Sequence, residues 1–218
     1  NNDCGKPLFD FVIQGSVPSG EALQFDGLND LVTTPNINLN NQSFSIEFWA
    51  KRNSSGSGSY LIGQNNSNTI NQSLHIGFRN NNAFTFAFWG NDLDYTVTPT
   101  FDNNWHHWAC VYNSTLTGND RFIYMDGQLV ASDNSSSNFL APSSPILIGS
   151  GNGFQYTGFA DEVRIWNTAR TQCEIQTFMN AEITSTASGL VANYHFNQGI
   201  AGGTNTSVTS LVDATGTN

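Results

Sequence analysis

The chain has 218 residues, of which 11% are charged, and its 7 Lys and Arg against 17 Asp and Glu give a formal net charge of -10. Asn, Ser, Thr and Gly fill much of the remainder, a composition typical of turns and short strands and not of amphipathic helices. A surface this acidic repels nucleic acids and anionic membranes, which argues against both as partners.

The first half of the chain contains several short apolar segments. Residues 1–20 form a lead-in, in which residues 8–13 are a candidate strand at the domain edge, and residues 21–25 form the first predicted strand of the domain. Residues 43–50 alternate with period two, which places Phe44, Ile46 and Phe48 on one face. The opposite face carries Ser45, Glu47 and Trp49. This pattern favours a sandwich strand whose outer face is partly covered.

Two hairpins follow from turn chemistry. Residues 73–79 and 83–89 flank three consecutive Asn residues, and Asn tolerates the positive φ that such a turn needs. Residues 121–131 turn at Asp126-Gly127, a strong hairpin signal. Between the two hairpins, residues 105–112 are predicted as a further core strand.

The last third predicts strands at 145–149, 159–166 and 189–197, and a single short helix near 171–180. Thr171 and Glu174 have the spacing of a capping box at the start of this helix. About a dozen short strands separated by turns predict an all-β fold of two packed sheets. The predicted domain spans residues 21–198, and residues 199–218 form a tail.

Several motifs in this order resemble laminin-G-like, concanavalin A-like domains of secreted Bacteroidetes proteins. They are Phe25-Asp26-Gly27-x-x-Asp30-x-Val32, Trp105-His106-His107, Asp126-Gly127, and Gly158-x-x-Asp161-Glu162-Val163-Arg164-Ile165-Trp166-Asn167-x-x-Arg170. The resemblance implies an antiparallel two-sheet jelly roll in which the first and last strands are neighbours. Residues 190–199 resemble the segment that follows such domains, which implies that the chain is part of a longer, modular protein.

The resemblance also implies that Asp26 and Asp161 meet, often around a calcium ion. Calcium takes six to eight oxygen ligands, and Asp26, Asn29, Asp30 and Asp161 supply suitable carboxylates and an amide. We therefore expect Ca²⁺ at these four residues. The alternative is that Asp26 caps its own turn and that Asp161 pairs with Arg164 or Arg170.

A second candidate site contains the residue types that bind sugars. Rings stack on the apolar faces of sugars, while Asn, Asp, Arg and His read their hydroxyls. One loop combines such groups, and the paired strand adds two more, giving a predicted ligand set of Trp89, Asn91, Asp92, Asp94, Tyr95, His75 and Arg79. The alternative is that Trp89 and Tyr95 fill space beneath the loop. Residues 154–156 are a second binding candidate.

The sequence offers little for catalysis. Glycosidases need two facing carboxylates, and Asp92 and Asp94 have suitable spacing but fall in a predicted loop. His106 and His107 are adjacent, so on a strand they point to opposite faces. We therefore expect no enzyme activity.

These observations together predict a calcium-stabilised, non-catalytic module that binds a polysaccharide. It would be monomeric, secreted or on the cell surface, and attached to further domains. The alternatives are an adhesion module with a protein partner and, less favoured, a glycan-cleaving enzyme. Of the three cysteines, Cys110 is predicted to be buried, and Cys4 and Cys173 are the predicted disulfide pair.

Overall fold

The computed structural model describes residues 20–96, 102–183, 185–200, 202–203, 205 and 207–216, and it forms two antiparallel sheets packed face to face. The seven-stranded sheet has the order β1 (Leu23–Asp26), β14 (Thr157–Trp166), β3 (Phe44–Arg52), β8 (His106–Tyr112), β9 (Arg121–Met125) and β10 (Gln128–Asp133), with β15 (Leu190–Tyr194) also pairing with β14. The six-stranded sheet has the order β2 (Val32–Ile37), β11 (Ser144–Ile148), β4 (Ser59–Gln64), β5 (Leu74–Phe78), β6 (Phe84–Ala87) and β7 (Asp92–Tyr95). A short hairpin joins β12 (Ser150–Gly151) to β13 (Phe154–Gln155), and α1 spans Gln172–Phe178.

The core lies between the sheets and is rich in aromatic rings. Phe84 of the six-stranded sheet stacks on Trp108 of the seven-stranded sheet, with ring centroids 3.8 Å apart. Phe44 contacts Phe86 and Phe88 across the same interface. Rings of this size bury a large apolar area per residue, so they account for much of the packing energy between the sheets.

Strand β14 contains a β-bulge that sets which side chains enter the core. Asp161 pairs with Trp49 and Arg164 pairs with Glu47, so two residues of β14 face one residue of β3. Ala160 and Val163 both point into the core as a result. Glu162, at the bulge, has a φ of 51°, a left-handed conformation that is uncommon outside glycine.

The outer face of the seven-stranded sheet is covered by α1 and the segment after it. Ile175 of the helix packs on Ala109, Val111 and Tyr124, and the indole of Trp49 donates a hydrogen bond to the carbonyl of Met179 (2.9 Å). This cover explains why both faces of β3 are buried.

The sequence predicted this architecture. The two-sheet jelly roll and the pairing of the first strand with β14 are confirmed. The helix begins at the predicted capping box, in which the Thr171 side chain accepts from the backbone of Glu174 and the Glu174 carboxylate accepts from the backbone of Thr171. Both predicted hairpins are present, with positive φ at Asn82, Asp126 and Gly127.

The lead-in strand at residues 8–13 lies outside the described residues. Cys110 is buried and free, as expected. Cys173 takes part in a disulfide, but Cys4 is outside the described residues, so the predicted Cys4–Cys173 pair stays a prediction. Among the residues that the structure describes, no helix is long and apolar enough to cross a membrane.

Candidate functional site

The outer face of β5, β6 and β7 brings together most of the predicted ligand-binding residues. On β5, Leu74, Ile76 and Phe78 point into the core, so His75 and Gly77 lie on the opposite face by strand alternation. On β7, Leu93 faces the core and Asp92 and Asp94 are exposed. We call this outer surface, with Trp89 and Arg79 at its ends, the β5–β7 face.

Arg79 organises the charges of the β5–β7 face. Its Nε donates to Asp94 Oδ1 (2.8 Å), and its Nη2 donates to Asp92 Oδ2 (2.8 Å) and to Thr85 Oγ1 (3.1 Å). Gly77 of β5 pairs with Thr85 of β6, and His75 pairs with Ala87. The small side chains at Gly77, Thr85 and Ala87 leave room for the Arg79 guanidinium to reach across β6 to β7. Two carboxylates and one guanidinium leave this cluster with a negative formal charge.

A row of ring contacts runs beside this cluster. The row passes from Phe154 to Tyr60 (centroids 5.6 Å apart), from Tyr60 to His75 (5.0 Å) and from His75 to Trp89 (6.2 Å). Tyr60 and His75 are buried, whereas Trp89 is partly exposed and Phe154 is 49% exposed. The two buried rings therefore support two rings that solvent can reach.

The burial of the supporting rings has a chemical consequence. Burial lowers the pKa of the His75 imidazole, which favours its neutral form. Burial also raises the pKa of the Tyr60 phenol, on which the charges of Arg79, Asp92 and Asp94 act as well. The row thus presents neutral rings next to the charged cluster.

Close backbone packing places Phe154 in this row. A Cβ atom on Gly63 of β4 would lie 2.6 Å from the carbonyl oxygen of Ser150, and one on Gly151 would lie 2.8 Å from the carbonyl oxygen of Ile62. Only glycine at both positions lets the β12–β13 hairpin cross directly over β4. The hairpin then sets the Phe154 ring against Tyr60.

Asn91 belongs to the predicted ligand set but is buried in a structural network. Its Nδ2 donates to Asn71 Oδ1 (2.7 Å) and to the carbonyl of Ser137 (3.2 Å). Its Oδ1 accepts from Ser136 N and from Nη2 of the buried Arg121, each at 3.3 Å. Every polar atom of this side chain is therefore occupied within the protein, which leaves it no role in contacting a ligand on the β5–β7 face.

Tyr95 also departs from the predicted set. It pairs with Phe84 across β6 and β7 and packs against the core, so its ring lies on the opposite side of the sheet from Asp92 and Asp94. Tyr60 takes part in the row but was not predicted, because its position depends on the pairing of β4 with β5. Phe154 was predicted only as a separate candidate, and Tyr156 beside it is buried in the core.

The predicted calcium ligands are divided between two places. Asp26 pairs with Thr157, four positions before Asp161 on the same strand, which separates the two aspartates by about 13 Å along β14. Asp26 Oδ1 accepts from Leu28 N (2.7 Å), and Asp30 Oδ2 accepts from Asp26 N (2.8 Å). The structure therefore keeps Asp26, Asn29 and Asp30 in one exposed turn, and Asp161 does not join them.

Asp161 instead lies buried beside the bulge. Its Oδ1 accepts from Glu162 N (2.8 Å), and burial, together with the charge of Glu162, raises its pKa to about 7. The alternative partners predicted for it are also taken, since Arg164 pairs with Glu162 (2.7 Å) and Arg170 with Glu47 (3.3 Å).

Comparisons with known proteins agree with this fold. The model of the Laminin_G_3 family, described as the concanavalin A-like lectin/glucanases superfamily, matches residues 26–176. A candidate carbohydrate-binding protein of Bacteroides ovatus superposes with a TM-score of 0.67 at 19% identity, over 89% of this chain and 57% of that one. This chain therefore spans little more than half the length of that protein.

Two further solved structures share the fold. Domain 4 of AbnA, a GH43 extracellular arabinanase of Geobacillus stearothermophilus in complex with arabinotriose, has a TM-score of 0.56 at 16% identity, over 73% of this chain and 76% of that one. A sialidase of Trypanosoma rangeli has a TM-score of 0.54 at 16% identity, over 73% of this chain and 27% of that one. No relative matches among curated proteins. Because the family model spans well over half of its length, this chain belongs to the Laminin_G_3 family of concanavalin A-like lectin/glucanase domains.

Proposed function

We propose that this domain is a non-catalytic carbohydrate-binding module and that it binds a neutral polysaccharide on the β5–β7 face. The observation that carries the proposal is the pair of solvent-accessible rings, Trp89 and Phe154, supported by buried rings and flanked by the Arg79 cluster. Such rings can stack on the apolar faces of sugars, and Asp92, Asp94 and Arg79 can hydrogen-bond to hydroxyl groups.

The preference for a neutral glycan follows from charge. The only cation in the described part of the β5–β7 face is Arg79, and it already contacts two carboxylates. A sulfated or uronic polysaccharide would meet a negative cluster on a chain of net charge -10. A neutral chain of hydroxyl groups avoids this repulsion.

The same contacts argue against a glycosidase site here. A glycosidase uses one carboxyl group as an acid and a second group as nucleophile or base on the other side of the bond. Asp92 and Asp94 project from the same face of β7, not from a loop as predicted, but both accept from the Arg79 guanidinium, so neither is available as the protonated acid. Domain 4 of AbnA, in complex with arabinotriose, is a precedent for a glycan bound to a domain of this fold.

We propose that the module works outside the cell as part of a larger protein and directs it to its substrate. We also propose that Asp26, Asn29 and Asp30 hold a stabilising calcium ion without Asp161. Their exposed turn offers the oxygen donors that calcium prefers, and this ion would lie apart from the β5–β7 face.

A protein partner is the second candidate, and a different surface favours it. A cavity of about 640 Å³ lies between β1, β2 and the tail, where Leu31 and Val208 are exposed. Exposed apolar groups of this kind are typical of protein interaction sites. Binding there would not depend on Trp89.

The test is affinity electrophoresis on neutral, uronic and sulfated polysaccharides, with calcium and with a chelator. We expect retardation on a neutral polysaccharide, and a loss of at least about tenfold in affinity, about 1.4 kcal/mol, for Trp89→Ala. Trp105→Ala is the matched control, because Trp105 is also a partly exposed tryptophan but lies beside Phe159 (centroids 6.3 Å apart), away from the β5–β7 face.

Equal affinity of Trp89→Ala and wild type would move the site elsewhere. Preferential retention on sulfated chains would contradict the charge argument. If the folded protein were retained on no polysaccharide, the protein-partner candidate would become the better one.

A further inference from the structure

A second group of functional side chains lies on the other sheet, beside β14 and β15. One ligand atom each from Glu162, Glu182 and His195 lies within 4.8 Å of the other two. Glu162 comes from the bulge in β14, Glu182 from the segment after α1, and His195 from the residue after β15. Three separate segments of the chain thus bring metal-ligating groups to one point.

An ion pair explains part of this arrangement. His195 Nδ1 lies 2.7 Å from Glu162 Oε1, and Arg164 Nη2 donates to Glu162 Oε2 (2.7 Å). These contacts account for both oxygens of the buried Glu162. They do not account for the exposed carboxylate of Glu182, whose charge lies close to that of Glu162.

Asn193 supplies an independent observation. Its side chain is fully buried, and its amide is directed at His195, with Nδ2 3.2 Å from the imidazole Nε2. Among the described residues, its Oδ1 has no hydrogen-bond partner. A buried carbonyl oxygen without a partner costs roughly 1–3 kcal/mol, so its presence requires an explanation.

A metal ion on Nδ1 would supply that explanation. An imidazole bound to a metal through one nitrogen carries a proton on the other and usually donates it to a carbonyl or carboxylate. Rotation of the Asn193 amide by half a turn would place Oδ1 at Nε2 as that acceptor. The rotation would give up the long contact of Nδ2 with the Ile183 carbonyl (3.4 Å) and would move Nδ2 from His195 to the side now occupied by Oδ1.

We propose that Glu162, Glu182 and His195 bind a divalent transition-metal ion, for which Zn²⁺ is the probe, and that Asn193 orients the imidazole. Imidazole and carboxylate together suit Zn²⁺ and its first-row neighbours, whereas calcium prefers oxygen ligands alone. The exposed side of the site, at Glu182, leaves a coordination position for water. Arg164 holds the second oxygen of Glu162, which makes that carboxylate a ligand through Oε1 only.

The ion would join the bulge, the segment after the helix and the end of the last strand. An ion that binds only the folded chain stabilises it in proportion to its concentration. The site lies on a different sheet from the β5–β7 face, so its function is independent of glycan binding.

The experiment is titration of the chelator-treated protein with Zn²⁺ by calorimetry, with thermal unfolding as a second readout. We expect wild type to bind one ion per chain and its melting temperature to rise. Glu182→Gln and His195→Gln should each lower the affinity by about tenfold or more. Glu182 is exposed, so Glu182→Gln tests the site without disturbing the fold.

His106→Gln is the matched control. His106 also lies between two carboxylates, but Nδ1 faces Asp126 (2.7 Å) and Nε2 faces Asp102 (2.9 Å), so those ligand atoms do not converge. This variant should bind Zn²⁺ as wild type does. Absence of Zn²⁺ binding by the folded wild type, or equal affinity of wild type and Glu182→Gln, would overturn the proposal.

Discussion

Asn91→Ala separates a structural role from a ligand-binding role at the β5–β7 face. The substitution removes four side-chain hydrogen bonds, two of them at 2.7 and 3.2 Å and two at 3.3 Å. A typical intramolecular hydrogen bond contributes about 1 kcal/mol, and the two long ones contribute less. We therefore expect a loss of about 3 kcal/mol in the free energy of unfolding.

For a domain of this size the loss corresponds to a fall of about 6–12 °C in melting temperature. Thermal unfolding followed by circular dichroism measures it. Glycan affinity, assayed well below the lowered melting temperature, should be unchanged, because the Asn91 side chain is turned away from the β5–β7 face towards Arg121 and the segment at Ser136.

Asp92→Ala is the matched contrast one residue along the chain. Asp92 is exposed and shares Arg79 with Asp94, and exposed ion pairs contribute at most about 1 kcal/mol. This variant should keep its stability and lose glycan affinity. The reasoning is refuted if Asn91→Ala keeps the wild-type melting temperature while losing affinity.

Three further predictions concern stability. Partial burial lowers the pKa of His106, but its hydrogen bonds to Asp126 and Asp102 outweigh this effect and raise the pKa. The charged imidazole therefore stabilises the folded state, and the extra stability of wild type over His106→Gln should be present at about pH 6 and lost by about pH 9. Denaturant titrations at the two pH values measure it, and an equal difference at both would show that the imidazole gains nothing from its charge. Thr171→Ala removes the helix cap and should cost about 1 kcal/mol, with Thr171→Ser close to wild type in the same titration. Asp26→Ala should lower the melting temperature in calcium and not after chelation, whereas equal losses would assign its role to the hydrogen bond with Leu28 N.

The parts of the fold that depend on neighbouring residues could be predicted from the sequence. The alternation at Phe44, Ile46 and Phe48 gave the correct buried face, and the capping box at Thr171 gave the helix start. In each case the physical cause lies within a few residues, in strand periodicity or in a backbone hydrogen bond.

The candidate site was predicted only in part because its contacts are long-range. Asn91 is buried by a segment more than forty positions away, and nothing near it in the sequence indicates this. Tyr95 could have been placed correctly, since Asp92-Leu93-Asp94-Tyr95 alternates as a strand with its apolar members facing inward. Residues 154–156 were predicted as a separate binding candidate, but nothing near them in the sequence shows that the hairpin carrying Phe154 crosses β4.

The bulge in β14 has a consequence for how this sequence can change. Val163 and Ile165 face the core and Arg164 and Trp166 face outward, and the bulge adds one residue between Ala160 and Val163. Deleting Glu162 would close the bulge and leave Asp161 opposite Trp49 and Arg164 opposite Glu47 in a regular ladder, so Val163, Arg164 and Ile165 would keep their present faces. The residue that the bulge adds is therefore not needed for the alternation of β14, and its contribution is the Glu162 carboxylate that it brings to Arg164 and His195.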